Sequence, residues 1–492
     1  MARKAKSPKD NAGKNAKKND KEKSPGQKLA DKLCFNLKNC WEGIDAKQEK
    51  EIEEFSGLYK KILDEGKTER EFAAAAIRLL EKHGFVNADS DRARAHAGKL
   101  KPGTKVYKSI HGKAVICAVT GKKHPKEGLR ILGAHIDSPR IDLKQNPLYE
   151  DADFALLDTH YYGGIKKYQW TTIPLSMHGV FIGENGKKIE VRLGENDDDP
   201  VFTITDLLPH LARDQMQKKA AEAVEGEDLD ILFGSRPYND DKVKEKVKLH
   251  ILSLLNEKYG IIEENFAGAE IEFVPAYKAR DIGFDRSMIG SYGHDDRCCA
   301  YPALRAILDF NKSVPEYTAL CYLSDKEEIG SVGNTGADSW GFENFCSFLA
   351  GEDNLRRCFE KSAMLSADVN AAYDPSYAGV FDKRNSSYMG KGIVLAKYTG
   401  SGGKYGASDA NAEYCSRVQA LFSKKKIPWQ FGELGKVDKG GAGTIALHAA
   451  KLGINVLDVG IPVLSMHSPF EIISKIDLFY TYKGYLAFLT DL

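Results

Sequence analysis

Apolar residues recur at three- and four-residue spacing through EKEIEEFSGLYKKILDEG and TEREFAAAAIRLLEKHG, within residues 26–84. This period predicts two amphipathic helices, with Gly66 and Gly84 as their left-handed C-terminal caps. The pattern then changes. KVYKSI, KAVICAV and LRILGAH are short runs of Val, Ile and Leu separated by polar residues, and they predict strands. Between 150 and 280, YYGGIKKYQWTTIPLSMHGVFIGENGKKIEVRL breaks into hairpin-like pieces around an ENGK turn. The acidic stretch GENDDDP, the helical KVKEKVKLHILSLLNEKYG and the strand-like IEFVPAY follow, so this block reads as a separate β-rich domain. From about 285, helical CCAYPALRAILDF alternates with YTALCYLS, SAMLSA and INVLDVG, which are apolar on both faces. Doubly buried strands alternating with helices predict an α/β fold, a layered domain with a central, mostly parallel β-sheet flanked by helices.

Composition bounds the function classes. The chain has 492 residues, 42% hydrophobic and 29% charged, ordinary for a globular protein of two or three domains. No apolar run approaches the ~18 residues of a membrane span, and the first thirty residues carry no apolar signal core. The net charge of +1 conceals an asymmetry. Of 71 Lys+Arg and 70 Asp+Glu, residues 1–25 hold nine and three, leaving 62 and 67 in the body. The basic tail lacks aromatic and branched aliphatic residues, so it is expected to stay disordered. The acidic body argues against dedicated nucleic-acid binding. The nine cysteines are odd in number and form no CxxC pair, which reads as reduced thiols and a cytoplasmic location.

Chemistry concentrates where apolar strands end. LRILGA runs into His135 and Asp137, YTALCYLS into Glu327 and Glu328, SAMLSA into Asp368, and INVLDVGIPVLS into His467. Asp295, in YGHDDR, opens a helix. Ligands of open α/β sheets bind beyond the carboxyl ends of the strands, so these side chains can converge on one cleft. Imidazole and carboxylate together suit two divalent metal ions, zinc first, with manganese or cobalt as alternatives. Asp295 can bridge the two ions. His135 with Asp368, and Glu328 with His467, can complete the two sites. Asp137 can orient the His135 imidazole, and Glu327 can act as general base.

The same segments carry a family resemblance. GAHIDSPRI, YGHDDR, SDKEEIGS, LSADVNAAYDPSY and LDVGIPVLSMHS resemble, in order and spacing, the five metal-site motifs of the M18 metallo-aminopeptidases, the aspartyl aminopeptidase family. The resemblance covers roughly residues 30–492. It implies that His135, Asp295, Glu328, Asp368 and His467 are metal ligands, with Asp295 the bridge. It implies Glu327 as general base and Asp137 as the carboxylate that orients the first histidine. It also implies a catalytic domain in two parts, 26–149 and 281–492, interrupted at 150–280 by a β-rich dimerisation domain. The implied assembly is a tetrahedral homododecamer built from dimers. His210 matches a histidine that reaches into the partner subunit's active site. Lys397 and Tyr405 resemble residues lining the substrate pocket, and GGAGTI (440–445) resembles a loop near it. One position departs: aspartyl members carry a histidine where this chain has Ala371, which leaves the preferred N-terminal residue open.

The expected function is therefore a dinuclear metallo-aminopeptidase, a hydrolase removing the N-terminal residue of short peptides, with Glu327 as base for a metal-bridging water. A dinuclear carboxypeptidase or N-deacylase is the alternative; it needs a cation for the substrate carboxylate, for which Arg140 and Arg297 are candidates. A non-catalytic scaffold is disfavoured because Glu327 and all five candidate ligands are present. A dinucleotide-binding enzyme is disfavoured because no GxGxxG follows an early strand.

Overall fold

The structure is a computed structural model describing residues 23–310 and 313–492, apart from the Asn185 side chain. It divides into two units, the residues up to Lys38 and Asn39–Leu492. In the first, the helix Pro25–Leu33 starts at Ser24, whose hydroxyl accepts from the Gln27 amide. Residues 1–22 of the basic tail lie outside the described residues.

The second unit is built on a nine-stranded sheet. Its order is Val86–Asn87, Lys105–Ile110, Ala114–Val119, Thr318–Ser324, Leu129–His135, Ala363–Ser366, Asn455–Gly460, Ile393–Ala396 and Trp429–Phe431. The four strands from Thr318–Ser324 to Asn455–Gly460 are mutually parallel, and antiparallel pairs flank them. Alternation along each strand feeds two cores. Val115, Cys117 and Val119 pack on one face, towards the helices Ala46–Glu65, His294–Leu308 and Lys475–Asp491. Ala114, Ile116 and Ala118 pack on the other, towards the helices Trp340–Ala350 and Ala446–Lys451. Each fully buried aliphatic side chain contributes about 1.5–3 kcal/mol, which is why both faces of these strands are apolar.

The two N-terminal helices of this unit end differently. Glu69–Lys82 stops through Gly84 at φ +82°, the expected left-handed cap. Gly66 follows Ala46–Glu65 at φ −120° and is not left-handed. Close packing selects glycine there instead, because a Cβ would sit 2.8 Å from Phe72 Cα.

A seven-stranded antiparallel sheet is inserted between the strands Leu129–His135 and Thr318–Ser324. Its strands lie between Arg140 and Pro275, and its first, Arg140–Asp151, begins before residue 150. The hairpin Leu175–Ile182/Lys188–Leu193 turns at Gly186, φ +74°. The sheet has its own core of Ile141, Leu157, Trp170, Phe181 and Phe273. The helix Lys246–Tyr259 packs on it and ends at left-handed Gly260. A third sheet joins Arg280–Ile282, Met288–Ser291, Glu471–Ser474, Pro462–Leu464 and Asn370–Ala371. All nine cysteines are free, and every one except Cys34 is buried. No described helix is long and apolar enough to cross a membrane.

Candidate metal centre

Register brings the chemistry together. Ser324 pairs with His135 and Ser366 with Gly133, so three parallel strands end side by side. His135 is the last residue of its strand. Glu327 and Glu328 follow Ser324 in a single 3-10 turn, entered through left-handed Lys326. Asp368 lies just beyond Ser366. Asp295 enters from the start of the helix His294–Leu308, after left-handed Gly293. His467, at φ +63°, comes from the loop after Pro462–Leu464.

One carboxylate links the two imidazoles. Asp295 Oδ1 lies 3.1 Å from His135 Nε2, and its Oδ2 lies 3.2 Å from His467 Nε2. Glu328 Oε2 is 3.4 Å from His467 Nε2, and Glu327 Oε2 is 3.8 Å from His135 Nε2. Potential ligand atoms of His135, Asp296 and Asp368 also fall within 4.8 Å of one another. The far nitrogens are committed elsewhere. His135 Nδ1 donates to the Asp137 carbonyl at 3.0 Å and faces Asp137 Oδ1 at 3.3 Å. His467 Nδ1 donates to the Gly164 carbonyl at 2.8 Å. With Nδ1 protonated, each Nε2 aims at carboxylates, which calls for a positive charge between them.

The titration behaviour agrees with that demand. Burial pushes Glu327 up to about 7, and pushes Glu328 and Asp368 well above the usual carboxylate range. Asp295 goes the other way: despite burial, hydrogen bonds from His135 and His467 hold it below that range. Burial opposes a charge on His467, yet Asp295 and Glu328 raise it to about 11. Fully buried Asp296 has no hydrogen-bond partner on either oxygen, and Glu328 Oε1 has none. Unpartnered buried carboxylate oxygens are costly unless a cation compensates them. Nitrogen and carboxylate donors in this number fit zinc, manganese or cobalt.

Supporting groups surround the centre. Asp137 is fully buried; its Oδ1 accepts from Glu327 N, and its Oδ2 accepts from Glu328 N and the Tyr162 hydroxyl. Glu471 accepts from Asp295 N at 3.0 Å and His467 N at 2.8 Å, and burial lifts it to about 8. Asp296, Glu471 and Tyr162 escaped the sequence reasoning. Asp296 had a signal, its adjacency to Asp295; Glu471 and Tyr162 carried none.

The centre opens into a cavity of about 630 Å³. Asp295, Glu327, Glu328, Asp368 and His467 border it. Its wall carries Val394, Ala396 and Tyr398, and its rim two glycine-rich stretches, Thr399–Lys404 and 440–444. The GGAGTI loop thus borders the cavity. Lys397 and Tyr405 do not. Strand alternation turns Lys397 away from Val394, Ala396 and Tyr398, and its amine pairs with Asp409 at 2.6 Å. Tyr405 is 79% exposed, and Lys404 takes the place expected of it in the lining. His210 is exposed on an irregular loop and does not line the cavity of its own chain. Ala371 pairs with Val463 and borders a neighbouring groove that shares Met466 and His467. Arg140 and Arg297 are buried: Arg140 among Glu69, Asp142 and Glu272, and Arg297 on the carbonyls of Ile136 and Lys67. Neither lines the cavity, so the cation required by a carboxypeptidase or N-deacylase is not supplied by them.

Comparison with known proteins gives consistent results. The sequence pattern described as "Aminopeptidase I zinc metalloprotease (M18)" matches residues 62–489. A probable M18 family aminopeptidase 1 of Clostridium acetobutylicum is 50% identical, over 93% of this chain and 99% of its own. The crystal structure of aminopeptidase I from that organism superimposes with a TM-score of 0.88 at 49% identity, covering 93% of this chain and 100% of its own. More distantly, the chain of the S. cerevisiae mApe1 dodecamer shares the fold, with a TM-score of 0.71 at 22% identity over 90% and 97% of the two chains.

Proposed function

The chain belongs to the aminopeptidase I zinc metalloprotease (M18) family and is a metallo-aminopeptidase, and from that premise we propose that it cleaves the N-terminal residue from short peptides at a centre for two divalent ions. His135 and Asp368 would hold one ion, Glu328 and His467 the other, and Asp295 both. The observation that carries this reading is the placement of the two Asp295 oxygens, one against each histidine Nε2. Held there, divalent cations supply Lewis acidity toward a peptide carbonyl and toward water.

The protein's own groups do the rest. Glu327 faces the cavity beside His135, where a carboxylate is placed to take a proton and return it. It removes a proton from the attacking water, then delivers it to the leaving nitrogen as the C–N bond breaks. Asp137 fixes the His135 ring and, through the amides of Glu327 and Glu328, the turn that carries them. The substrate's free α-amine would bind one of the ions and the nearby carboxylates. The 150–280 segment serves as the dimerisation domain between catalytic parts 26–149 and 281–492, and dimers assemble into a dodecamer. His210 completes the partner's site. Nine free cysteines favour the cytoplasm.

The test is metal analysis of the purified protein, with aminoacyl-arylamide and N-acyl amino acid panels in zinc, manganese and cobalt. Two ions per chain and hydrolysis of free-amine substrates alone are expected. Asp295→Asn should lose both ions. One ion per chain would overturn the two-metal assignment, and retention of both by that variant would remove Asp295 as the shared ligand.

A further inference from the structure

The strand Phe154–Tyr162 belongs to the seven-stranded sheet, yet its end reaches the metal centre. The Tyr162 hydroxyl donates to Asp137 Oδ2 at 2.8 Å. Two residues on, the Gly164 carbonyl accepts from His467 Nδ1 at 2.8 Å. Gly163 lies between them at φ +76°, and a Cβ there would meet Glu328 Cβ and Pro139 at 3.4 Å. One tripeptide therefore touches the carboxylate behind His135 and the ring of His467, with Gly163 beside Glu328.

The Tyr162 contact is the more exacting. Asp137 Oδ2 has two donors, the phenol and the Glu328 amide. Without the phenol, a fully buried carboxylate oxygen keeps one amide at 3.2 Å. Its negative charge is then less well supported, so it grips His135 Nδ1 less firmly. The phenol is itself held in place. The Arg140 guanidinium stacks on the Tyr162 ring at 3.8 Å and is anchored by Glu69, Asp142 and Glu272. Asp142 and Glu272 lie on strands of the inserted sheet, and Glu69 on the helix Glu69–Lys82. The ring is thus fixed from both parts of the molecule.

We propose that Tyr162, Gly163 and Gly164 form a positioning element by which the inserted sheet orients both histidines for metal binding. This rests on reading His135 and His467 as ligands. The positioning element acts through Asp137 and through the His467 ring.

Tyr162→Phe removes the hydroxyl and keeps the stacked ring. Zinc affinity, measured by competition with a chromophoric chelator, should weaken roughly 10- to 100-fold, the usual effect of losing an outer partner of a ligand. Thermal unfolding of the chelator-stripped protein should be unchanged from the stripped wild type, and saturating zinc should restore most activity. Gly163→Ala should weaken zinc binding as well, because a side chain at φ +76° strains the turn between the two contacts. Wild-type zinc affinity in Tyr162→Phe overturns the proposal. So does a lowered melting temperature of the stripped variant with affinity intact, which marks a purely structural role. A wild-type protein that binds no zinc would instead bring down the ligand assignment itself.

Discussion

Glu327 and Glu328 are adjacent, yet the turn that carries them gives each a different surrounding. Glu328 is packed against His467 and Asp295, with one oxygen unpartnered, whereas Glu327 is the more exposed of the two and faces the cavity. Glu327→Gln keeps shape and removes the exchangeable proton. It should lower kcat at least about 100-fold, within the ordinary range for a general base, while zinc content stays that of the wild type. Near-normal turnover would take the base role from Glu327; lost zinc would make it a ligand instead. The convergence of the histidines and carboxylates that end apolar strands was legible in the sequence. The sequence was less legible where direction matters. Lys397 was expected in the pocket, but Ile393 and Leu395 already mark its face as the buried, helix-covered one. Period-two alternation thus points Val394, Ala396 and Tyr398 at the cavity and Lys397 away from it.

At the scale of elements, the helix Glu69–Lys82 and the inserted sheet are joined by buried charge. His178, on the strand Leu175–Ile182, bonds Glu71 through Nδ1 at 2.8 Å and lies 3.2 Å from Glu195 through Nε2. Lys67 Nζ pairs with Glu195 at 2.7 Å, and Arg192 lies 3.7 Å from Glu71 and 3.9 Å from Glu195. Burial opposes charging His178, but the two glutamates prevail and raise its proton affinity. Both glutamates titrate lower than usual, against burial, because of His178 and the neighbouring cations. The signs follow from these directions. The histidine's contribution is complete below its unfolded value of 6.5 and is lost as pH rises through its higher folded value. The glutamates' contribution is present above their unfolded 4.5 and lost in acid. His178→Ala should therefore cost about 3 kcal/mol, the low end for breaking a buried pair. The deficit should be greatest between pH 4.5 and 6.5 and shrink toward alkaline pH. Melting curves at several pH values check this, and a deficit that grows with pH would mean that His178 is neutral in the fold. Elements themselves were legible from periodicity, since doubly apolar runs became central strands and the ENGK segment became a hairpin turn. Contacts such as His178–Glu71 were not, because they join residues more than a hundred positions apart whose local patterns say nothing of each other.

At the scale of the whole molecule, the inserted segment faces two ways. Tyr162 and Gly164 turn inward to the metal centre of their own chain. His210 turns outward, among Leu207, Leu208 and Leu211, which are 45%, 48% and 68% exposed. Three exposed leucines around one histidine suit a surface that another copy covers. If His210 serves the partner's site, two inactive variants should repair each other. A Glu327→Gln chain has a dead site but an intact His210 to lend. A His210→Ala chain has a complete catalytic set but lacks the histidine to lend. In a symmetric pair of the two, the site on the His210→Ala chain receives His210 from its partner and works, and the other does not. Random re-pairing of an equal mixture should then restore roughly a quarter of wild-type activity per chain, since half of the pairs are mixed and each holds one working site of two. The two variants assayed apart should stay near background, and zinc content should match in all samples. Activity in the dissociated and re-paired mixture that merely averages the two parents would place His210 outside the partner's site, and full activity of His210→Ala alone would remove it from catalysis altogether.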